Sequence, residues 1–258
     1  MSLSHLGQSG FRMQLGATVV YVDPYLSDCV ERLHGPGLRR LRPTPVRPEA
    51  VLDADLVLVS HAHLDHCDPD TLSVVARNNP GCRFLASYEA AEVLAASAGV
   101  AASRILVADE GSVELPGGGV VHPVPAAHRS LERDGQGRPR FLGFVIEHAG
   151  TRLYHAGDGS VHEDVIAAVR RHGPIDTALL PVNECNFFRD RQGIVGNMSV
   201  REAFGLAVEI GARRVVPMHF DMFAPNCVYA EEIEVVYRRQ SPPFRLDLPT
   251  ADMAWASE

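Results

Sequence analysis

A run of six residues, 61–66, holds four side chains of the kinds that bind divalent metal ions. The run reads HAHLDH, so three imidazoles and one carboxylate stand within six positions. Imidazole nitrogen and carboxylate oxygen are common ligands of Zn²⁺ and similar ions. One ion cannot easily take all four side chains from so short a loop. The spacing therefore predicts two ions, with a polar capping loop as the alternative.

Three more residues of ligand type occur further along the chain, at His128, Asp158 and His219. Each follows an apolar segment that predicts a strand. Any one of them taken alone is more often an ordinary polar residue than a ligand. Because three recur at the same kind of place, we interpret them as further metal ligands.

The elements that must position these residues alternate between apolar strands and helices in both halves of the chain. Helices are predicted over 69–79, 89–98, 163–171, 200–210 and 230–240. This order predicts an α/β (α+β) fold, in which two sheets pack face to face in a four-layer αββα sandwich. We expect a single domain over 1–258, with a basic loop insertion at about 30–50. The polar residues that follow the strands are then expected to meet at one edge of the sandwich.

The same motifs resemble the metallo-β-lactamase superfamily over nearly the whole chain. HAHLDH, a lone histidine, Gly157 with Asp158, and a second lone histidine carry this resemblance. Within the superfamily the chain looks most like the L-ascorbate-6-phosphate lactonase group. The features shared with that group are DPY (23–25), SHAHLDH (60–66), DP (68–69), LYHAGD (153–158), GNMS (196–199) and PMHFDMF (217–223).

The resemblance implies a binuclear metal centre with a complete set of seven ligands. The first ion would be held by His61, His63 and His128, the second by Asp65, His66 and His219, and Asp158 would bridge the two. A complete set favours an enzyme. A non-catalytic metal-binding or regulatory protein is the alternative of another class.

Two neighbouring divalent ions share a bound water and lower its pKa toward neutrality. We therefore predict a metal-dependent hydrolase that uses a bridging hydroxide, with Asp65 as the catalytic residue that orients it and accepts its proton. The two ions are predicted to be Zn²⁺, with Mn²⁺ and Fe²⁺ also compatible. The favoured substrate is a small anionic lactone, phosphorylated or not. A phosphodiesterase acting on a small metabolite is the alternative.

A basic arm over residues 32–47 is predicted to hold the anionic group of the substrate. It contains five arginines and no acidic residue, and guanidinium groups bind phosphate and carboxylate through paired hydrogen bonds. The predicted substrate-binding residues are Arg39, Arg40, Arg42, Asn183 and Asn197. The alternatives are a solvated loop or a subunit contact for the arginines, and turn formation or helix capping for the asparagines.

Composition limits the classes of partner. The 258-residue chain has a net charge of −8, and all 24 basic residues are arginine. An acidic chain argues against nucleic-acid binding, and the lack of lysine excludes a Walker A phosphate loop and Schiff-base catalysis. No apolar run reaches the roughly 18 residues of a membrane helix, and the five cysteines form no CxxC pair. We expect a cytoplasmic protein with a small anionic metabolite as partner, no nucleic acid and no membrane. Homo-oligomer formation is left open.

Overall fold

The computed structural model describes residues 1–249 and the backbone of residues 254–256. Over these residues the chain forms two seven-stranded sheets and seven α-helices. The strands are β1 (Ser2–Gly7), β2 (Gly10–Leu15), β3 (Thr18–Val22), β4 (Leu56–Val59), β5 (Arg83–Ala86), β6 (Ile105–Val107), β7 (Val113–Glu114), β8 (Val120–Pro125), β9 (Leu142–His148), β10 (Thr151–His155), β11 (Thr177–Pro181), β12 (Arg214–Met218), β13 (Arg245–Leu246) and β14 (Ala254–Ala256). The helices are α1 (Cys29–His34), α2 (Pro69–Asn78), α3 (Tyr88–Ala96), α4 (Glu163–Arg170), α5 (Phe187–Arg191), α6 (Val200–Glu209) and α7 (Ala230–Gln240).

The two sheets are built on the same plan. The first has the order β14-β1-β2-β3-β4-β5-β6 and the second β13-β12-β11-β10-β9-β8-β7. Strands β3 to β6 are parallel neighbours in the first sheet, as are β10 to β13 in the second. The remaining neighbours pair antiparallel. Because parallel strands end at the same edge of a sheet, residues that follow β3, β4, β10 and β12 are brought to two shared edges.

The interior strand β4 shows why the apolar pattern leads to a layered fold. Leu56 and Leu58 point into the core shared with the second sheet, whereas Val57 and Val59 pack with residues of α2 and α3. A strand covered on both faces is apolar throughout instead of alternating. On the other side of the molecule, α4 and α6 lie against the second sheet. The predicted mixed α/β sandwich, with helices outside two facing sheets, is confirmed.

Helices with clear sequence signals lie within two residues of their predicted bounds. The side chain of Asp68 caps α2 by accepting hydrogen bonds from the backbone of Asp70 and Thr71, and Ser199 and Glu202 form a capping box at α6.

The segment expected to be an irregular insertion at about 30–50 is partly helical. It contains most of α1 and the short 3₁₀ turns Pro36–Leu38 and Pro48–Ala50. The side chain at the start of α1, Asp28, makes no capping hydrogen bond, so this helix lacks the usual signal. That the chain forms one domain stays a prediction. In the part of the chain that the structure describes, no helix is both long and apolar enough to cross a bilayer.

Candidate metal centre

The HAHLDH run forms a tight turn between β4 and α2. The backbone N–H groups of His66 and Cys67 both donate to the carbonyl of His63, at 3.0 and 2.7 Å. This turn directs the side chains of the run to more than one position. His61 and His66 are buried, whereas His63 is exposed to solvent.

The three ligand-type residues that follow strands of the second sheet lie at the same place. His66 Nε2 is 3.2 Å from Asp158 Oδ1, and His219 Nε2 is 3.2 Å from Asp65 Oδ2 and 3.3 Å from Asp158 Oδ2. The imidazole rings of His63 and His128 are 5.2 Å apart. All seven residues predicted as ligands are therefore brought together.

Their potential ligand atoms form three overlapping groups, and within each group the atoms lie within 4.8 Å of one another. The groups are His63 with His128 and Asp158, Asp65 with His66 and His219, and His61 with His66 and Asp158. Asp158 and His66 each belong to two of the groups. His61 is grouped with His66 instead of with His63 and His128, so the predicted division of the ligands between two ions stays a prediction.

Four buried polar atoms at this place make no well-aligned hydrogen bond to the described residues, although two of them, His66 Nε2 and Asp158 Oδ1, lie 3.2 Å apart. They are His61 Nε2, His66 Nε2, His128 Nδ1 and Asp158 Oδ1. Leaving polar atoms buried and unpaired costs free energy, so native structures rarely do it. Mixed nitrogen and oxygen atoms that converge in this way fit divalent metal ions such as Zn²⁺, Mn²⁺ or Fe²⁺.

Asp23 and Ser60 contact two of the imidazoles at their Nδ1 atoms. Asp23 Oδ2 lies 2.8 Å from His66 Nδ1, and the Ser60 hydroxyl donates to the same carboxylate oxygen at 2.6 Å. Ser60 Oγ is also 2.9 Å from His61 Nδ1. With both Nδ1 atoms engaged, the Nε2 atoms of His61 and His66 are left for a metal. The sequence offered Asp23 and Ser60 only as parts of the family motifs DPY and SHAHLDH, with no role predicted for either.

Gln8 is a second residue that the sequence did not predict. Its side chain is buried in the turn between β1 and β2, and its Nε2 donates to Asp65 Oδ2 at 2.7 Å and lies 3.0 Å from His219 Nε2. Its carbonyl accepts the backbone N–H of His219 at 3.1 Å. A lone glutamine carries no metal-site pattern, so no sequence signal could have found it.

The buried histidines of the centre differ in the direction in which their pKa is shifted. Burial lowers the pKa of His61, and it lowers the pKa of His128 to about 4. Both are therefore neutral at pH 7, which is the form that binds a metal. Burial also acts to lower the pKa of His219, but the nearby charges of Asp158 and Asp65 outweigh it and raise that pKa to about 9. Metal binding at His219 must therefore displace a proton.

Two of the three arginines predicted to bind substrate form ion pairs with other residues. Arg39 pairs with Glu31 at 2.9 Å, and Arg42 pairs with Asp221 at 3.1 Å. Both guanidinium groups lie largely in solvent, where such pairs are worth little. Neither residue lines the cavity above the ligands. Their role in substrate binding stays a prediction.

Arg40 is held inside the basic arm. Its guanidinium donates to the carbonyl oxygens of Ser27 and Tyr25 at 3.2 and 3.1 Å, and its central carbon lies 4.6 Å from the centre of the Tyr25 ring. These contacts attach the arm to the loop after β3. Arg40 also does not line the cavity.

The two predicted asparagines form a buried pair. Asn197 Nδ2 donates to Asn183 Oδ1 at 2.8 Å, while Asn183 Nδ2 and Asn197 Oδ1 have no partner among the described residues. The pair lies at the base of the loop that joins β11 to α6, where the backbone N–H of Cys185 donates to the Asn197 carbonyl. It does not line the cavity, so substrate contact by the asparagines stays a prediction.

A cavity of about 430 Å³ opens directly above the ligands. This volume is in the range of small-molecule sites. The cavity is lined by Val30, His34, Leu38, Ala62, His63, Leu64, Asp65, Asp158, Gly193, Ile194, Val195, His219, Phe223 and Asn226. Its floor therefore contains four of the seven ligand-type residues.

Comparison with known sequences gives consistent matches. A family model described as "Beta-lactamase superfamily domain" matches residues 18–220. The chain is 33% identical over 253 residues to a "UPF0173 metal-dependent hydrolase" of Opitutus terrae, which covers 96% of this chain and 97% of that protein. It is 30% identical over 235 residues to a protein of the same description from Thermococcus kodakarensis, which covers 91% of each chain.

Solved structures share the fold at lower sequence identity. Igni18, described as a novel metallo hydrolase from the archaeon Ignicoccus hospitalis, superposes with a TM-score of 0.70 at 21% identity and covers 100% of this chain and 99% of its own. An isothiocyanate hydrolase from Delia radicum gut bacteria gives a TM-score of 0.78 at 18% identity, with coverage of 100% and 99%. At these identities the likeness concerns the fold alone.

Proposed function

The chain belongs to the metallo-β-lactamase superfamily, among the UPF0173 metal-dependent hydrolases, and we propose that it opens a small lactone at a centre of two divalent metal ions. The observation that carries the proposal is the convergence of ligand-type atoms from five histidines and two aspartates below the cavity, four of these atoms being buried without a well-aligned hydrogen bond to a described residue. The choice of a lactone follows from the resemblance to the L-ascorbate-6-phosphate lactonase group. The sequence also predicted an anionic group on this lactone, but among the described residues the cavity lining contains no arginine that could bind one.

Different residues of the chain would bind the metal ions and transfer the proton. Bound divalent ions supply an activated water and polarise the oxygen under attack. Asp158 is 4% exposed and lies within 3.3 Å of two imidazoles, which suits a ligand. The Asp65 side chain is 18% exposed and lines the cavity, so it can accept a proton while Gln8 holds one of its oxygens in place.

The test combines metal analysis with a substrate panel. The purified protein is expected to hold two divalent ions per chain and to hydrolyse simple lactones faster than bis(4-nitrophenyl) phosphate. An alkyl isothiocyanate belongs in the panel because a fold neighbour is an isothiocyanate hydrolase. Turnover of the phosphodiester alone would favour the phosphodiesterase alternative. A metal-loaded protein that turns over none of the panel would favour the non-catalytic alternative.

Asp65→Asn is expected to lower kcat for the lactone by at least about 100-fold, because the amide cannot accept the proton. Asp70→Asn is the matched control. Asp70 lies in the first turn of α2 and pairs with Arg32 at the surface, so its replacement should leave kcat unchanged. Equal activity of the two variants would remove Asp65 from the catalytic role.

A further inference from the structure

The walls of the cavity are mainly apolar, with His34 and Asn226 as their polar side chains. Four separate segments contribute them: α1 with the adjoining basic arm, the HAHLDH turn, the loop before α6 and the loop after β12. The wall residues with large apolar side chains are Val30, Leu38, Leu64, Ile194, Val195 and Phe223. They surround the opening above the metal ligands.

The charge in the cavity is confined to its floor. Among the described lining residues the only carboxylates are Asp65 and Asp158, which belong to the metal centre, and there is no arginine. The arginines of the adjoining arm contact residues outside the cavity, Arg39 pairing with Glu31 and Arg42 with Asp221. Away from His34 and Asn226, an anionic group distant from the reacting bond would meet apolar side chains and, among the described residues, no guanidinium group, which is costly.

Contacts outside the cavity hold the walls in place. Phe223 is 4% exposed, and its ring packs 6.0 Å from that of Tyr25. The loop with Ile194 and Val195 is tied down by Arg189, whose guanidinium donates to the carbonyls of Glu184 at 2.7 Å and Cys227 at 2.6 Å. A preformed apolar site binds an apolar group without first having to order itself.

We propose that the substrate is uncharged away from the reacting bond and places an apolar alkyl or aryl substituent against these walls. The inference rests on the proposed function, because it names the class of lactone that the metal centre acts on. It replaces the small anionic metabolite expected from the basic arm with a neutral, apolar one.

The first experiment compares three lactones with the metal-loaded enzyme. They are γ-butyrolactone, its hexyl derivative and its carboxypentyl derivative, whose chains are of nearly equal length. Burial of a few CH₂ groups predicts a kcat/KM at least about tenfold higher for the hexyl lactone than for either of the others. The inference is overturned if the carboxypentyl lactone is as good a substrate, or if chain length has no effect.

The second experiment places a cation in the wall. Leu38→Arg is expected to reduce the preference for hexyl over carboxypentyl lactone by at least about tenfold. Leu41→Arg is the matched control, because Leu41 is on the same arm but is 54% exposed and does not line the cavity. Ile194→Arg, on a different wall, repeats the test if Leu38→Arg does not fold. An unchanged preference in a folded wall variant overturns the inference.

The third experiment separates the inference from the proposed function. The corresponding 2-pyrrolidinones are ring amides of the same shape, and their binding to the metal-loaded protein can be measured by calorimetry without turnover. The hexyl compound is expected to bind at least about tenfold more tightly than the carboxypentyl compound. If this holds while no lactone is hydrolysed, the proposed function fails and the inference stands. If lactones are hydrolysed but the two lactams bind equally, the inference fails alone.

Discussion

At the scale of single residues, the metal centre depends on side chains that orient the ligands as well as on the ligands themselves. Asp23 and Ser60 engage the Nδ1 atoms of His66 and His61, and Gln8 contacts Asp65 and His219. Such partners fix the direction and the protonation of a ligand, and their loss commonly weakens metal binding. Asp23 and Ser60 act on His66 and His61, whereas Gln8 acts on Asp65 and His219.

Gln8→Leu is expected to weaken binding of one of two metal ions by about 10–100-fold. The variant removes the amide that donates to Asp65 Oδ2 while keeping a side chain of similar size. A Co²⁺ titration followed by visible absorption should show one site filling as in the wild type and the other only at higher concentration. Gln14→Leu is the control, since Gln14 lies on β2 and donates to the exposed carbonyl of Gly16. Two sites of unchanged affinity in Gln8→Leu would contradict this role.

The sequence identified the residues that converge at the centre better than the residues around them, for a physical reason. The candidate ligands are histidines and aspartates at the ends of apolar strands, and that combination is visible along the chain. The partners of Arg42 and Gln8 cannot be recognised along the chain, because Asp221 lies 179 residues from Arg42 and His219 lies 211 residues from Gln8. Whether an arginine is free to bind a substrate is decided by such distant partners.

At the scale of elements, the ligands are directed by abrupt turns at strand ends. Asp23 follows β3 with φ 43°, Gly157 follows β10 with φ 61°, and His219 follows β12 with φ 59°. Left-handed backbone is unfavourable for residues other than glycine, and it is often found at functional sites. After these turns the Asp23 side chain contacts Ser60 and His66, which follow β4 of the same sheet, and the His219 side chain contacts Asp65, which follows β4 of the other sheet.

Gly157→Ala tests the turn that carries Asp158. A methyl group at Gly157 would overlap the carbonyl oxygen of Leu142 and would sit at positive φ. We expect the free energy of unfolding to fall by at least about 2 kcal/mol, and metal affinity to fall because Asp158 is displaced. Urea denaturation and metal titration measure the two effects.

Gly205→Ala is the control for this change. Gly205 lies in α6, and a methyl group there meets no atom within 4 Å. Alanine is the better helix former, so the stability of this variant should stay the same or rise by up to about 1 kcal/mol. The explanation of the β10 turn is wrong if both alanine variants behave alike.

The helices and the strand that were not predicted from the sequence have no clear pattern in their own residues. Helices α1 and α5 span six and five residues, which is too short for a clear apolar period. Strand β1 is defined by its pairing with β2 and β14, and that pairing cannot be seen in the strand's own sequence. The longer helices, with capping residues and a full apolar face, were predicted within two residues.

At the scale of the whole molecule, the metal centre joins the two sheets. The HAHLDH turn follows β4 of the first sheet, whereas His128, Asp158 and His219 follow strands β8, β10 and β12 of the second. Ions bound by both sets would link the sheets at one edge, in addition to the apolar core that the sheets share. Metal binding is therefore coupled to the stability of the entire fold.

Metal removal is expected to lower the melting temperature of the whole protein in one cooperative step. At free metal about 100 times Kd, a single ion adds about 2.7 kcal/mol to stability, which corresponds to about 5–10 °C in a chain of this size. Calorimetry with and without a chelator measures the difference. A metal-free protein that melts at the same temperature would show that the two sheets are not linked in this way.

The difference in melting temperature between the metal-bound and the metal-free protein should depend on pH because of His219. Its pKa is raised to about 9 in the metal-free fold by Asp158 and Asp65, against the effect of burial. A raised pKa stabilises the metal-free fold fully below the unfolded value of about 6.5, and this stabilisation is lost as the pH rises through about 9. Over the same pH range His219 is protonated in a smaller fraction of the metal-free molecules, so metal binding has to displace fewer protons. The gap between the two melting temperatures should therefore widen from pH 6.5 to pH 9, and a gap that narrows would contradict protonation of His219 in the metal-free protein.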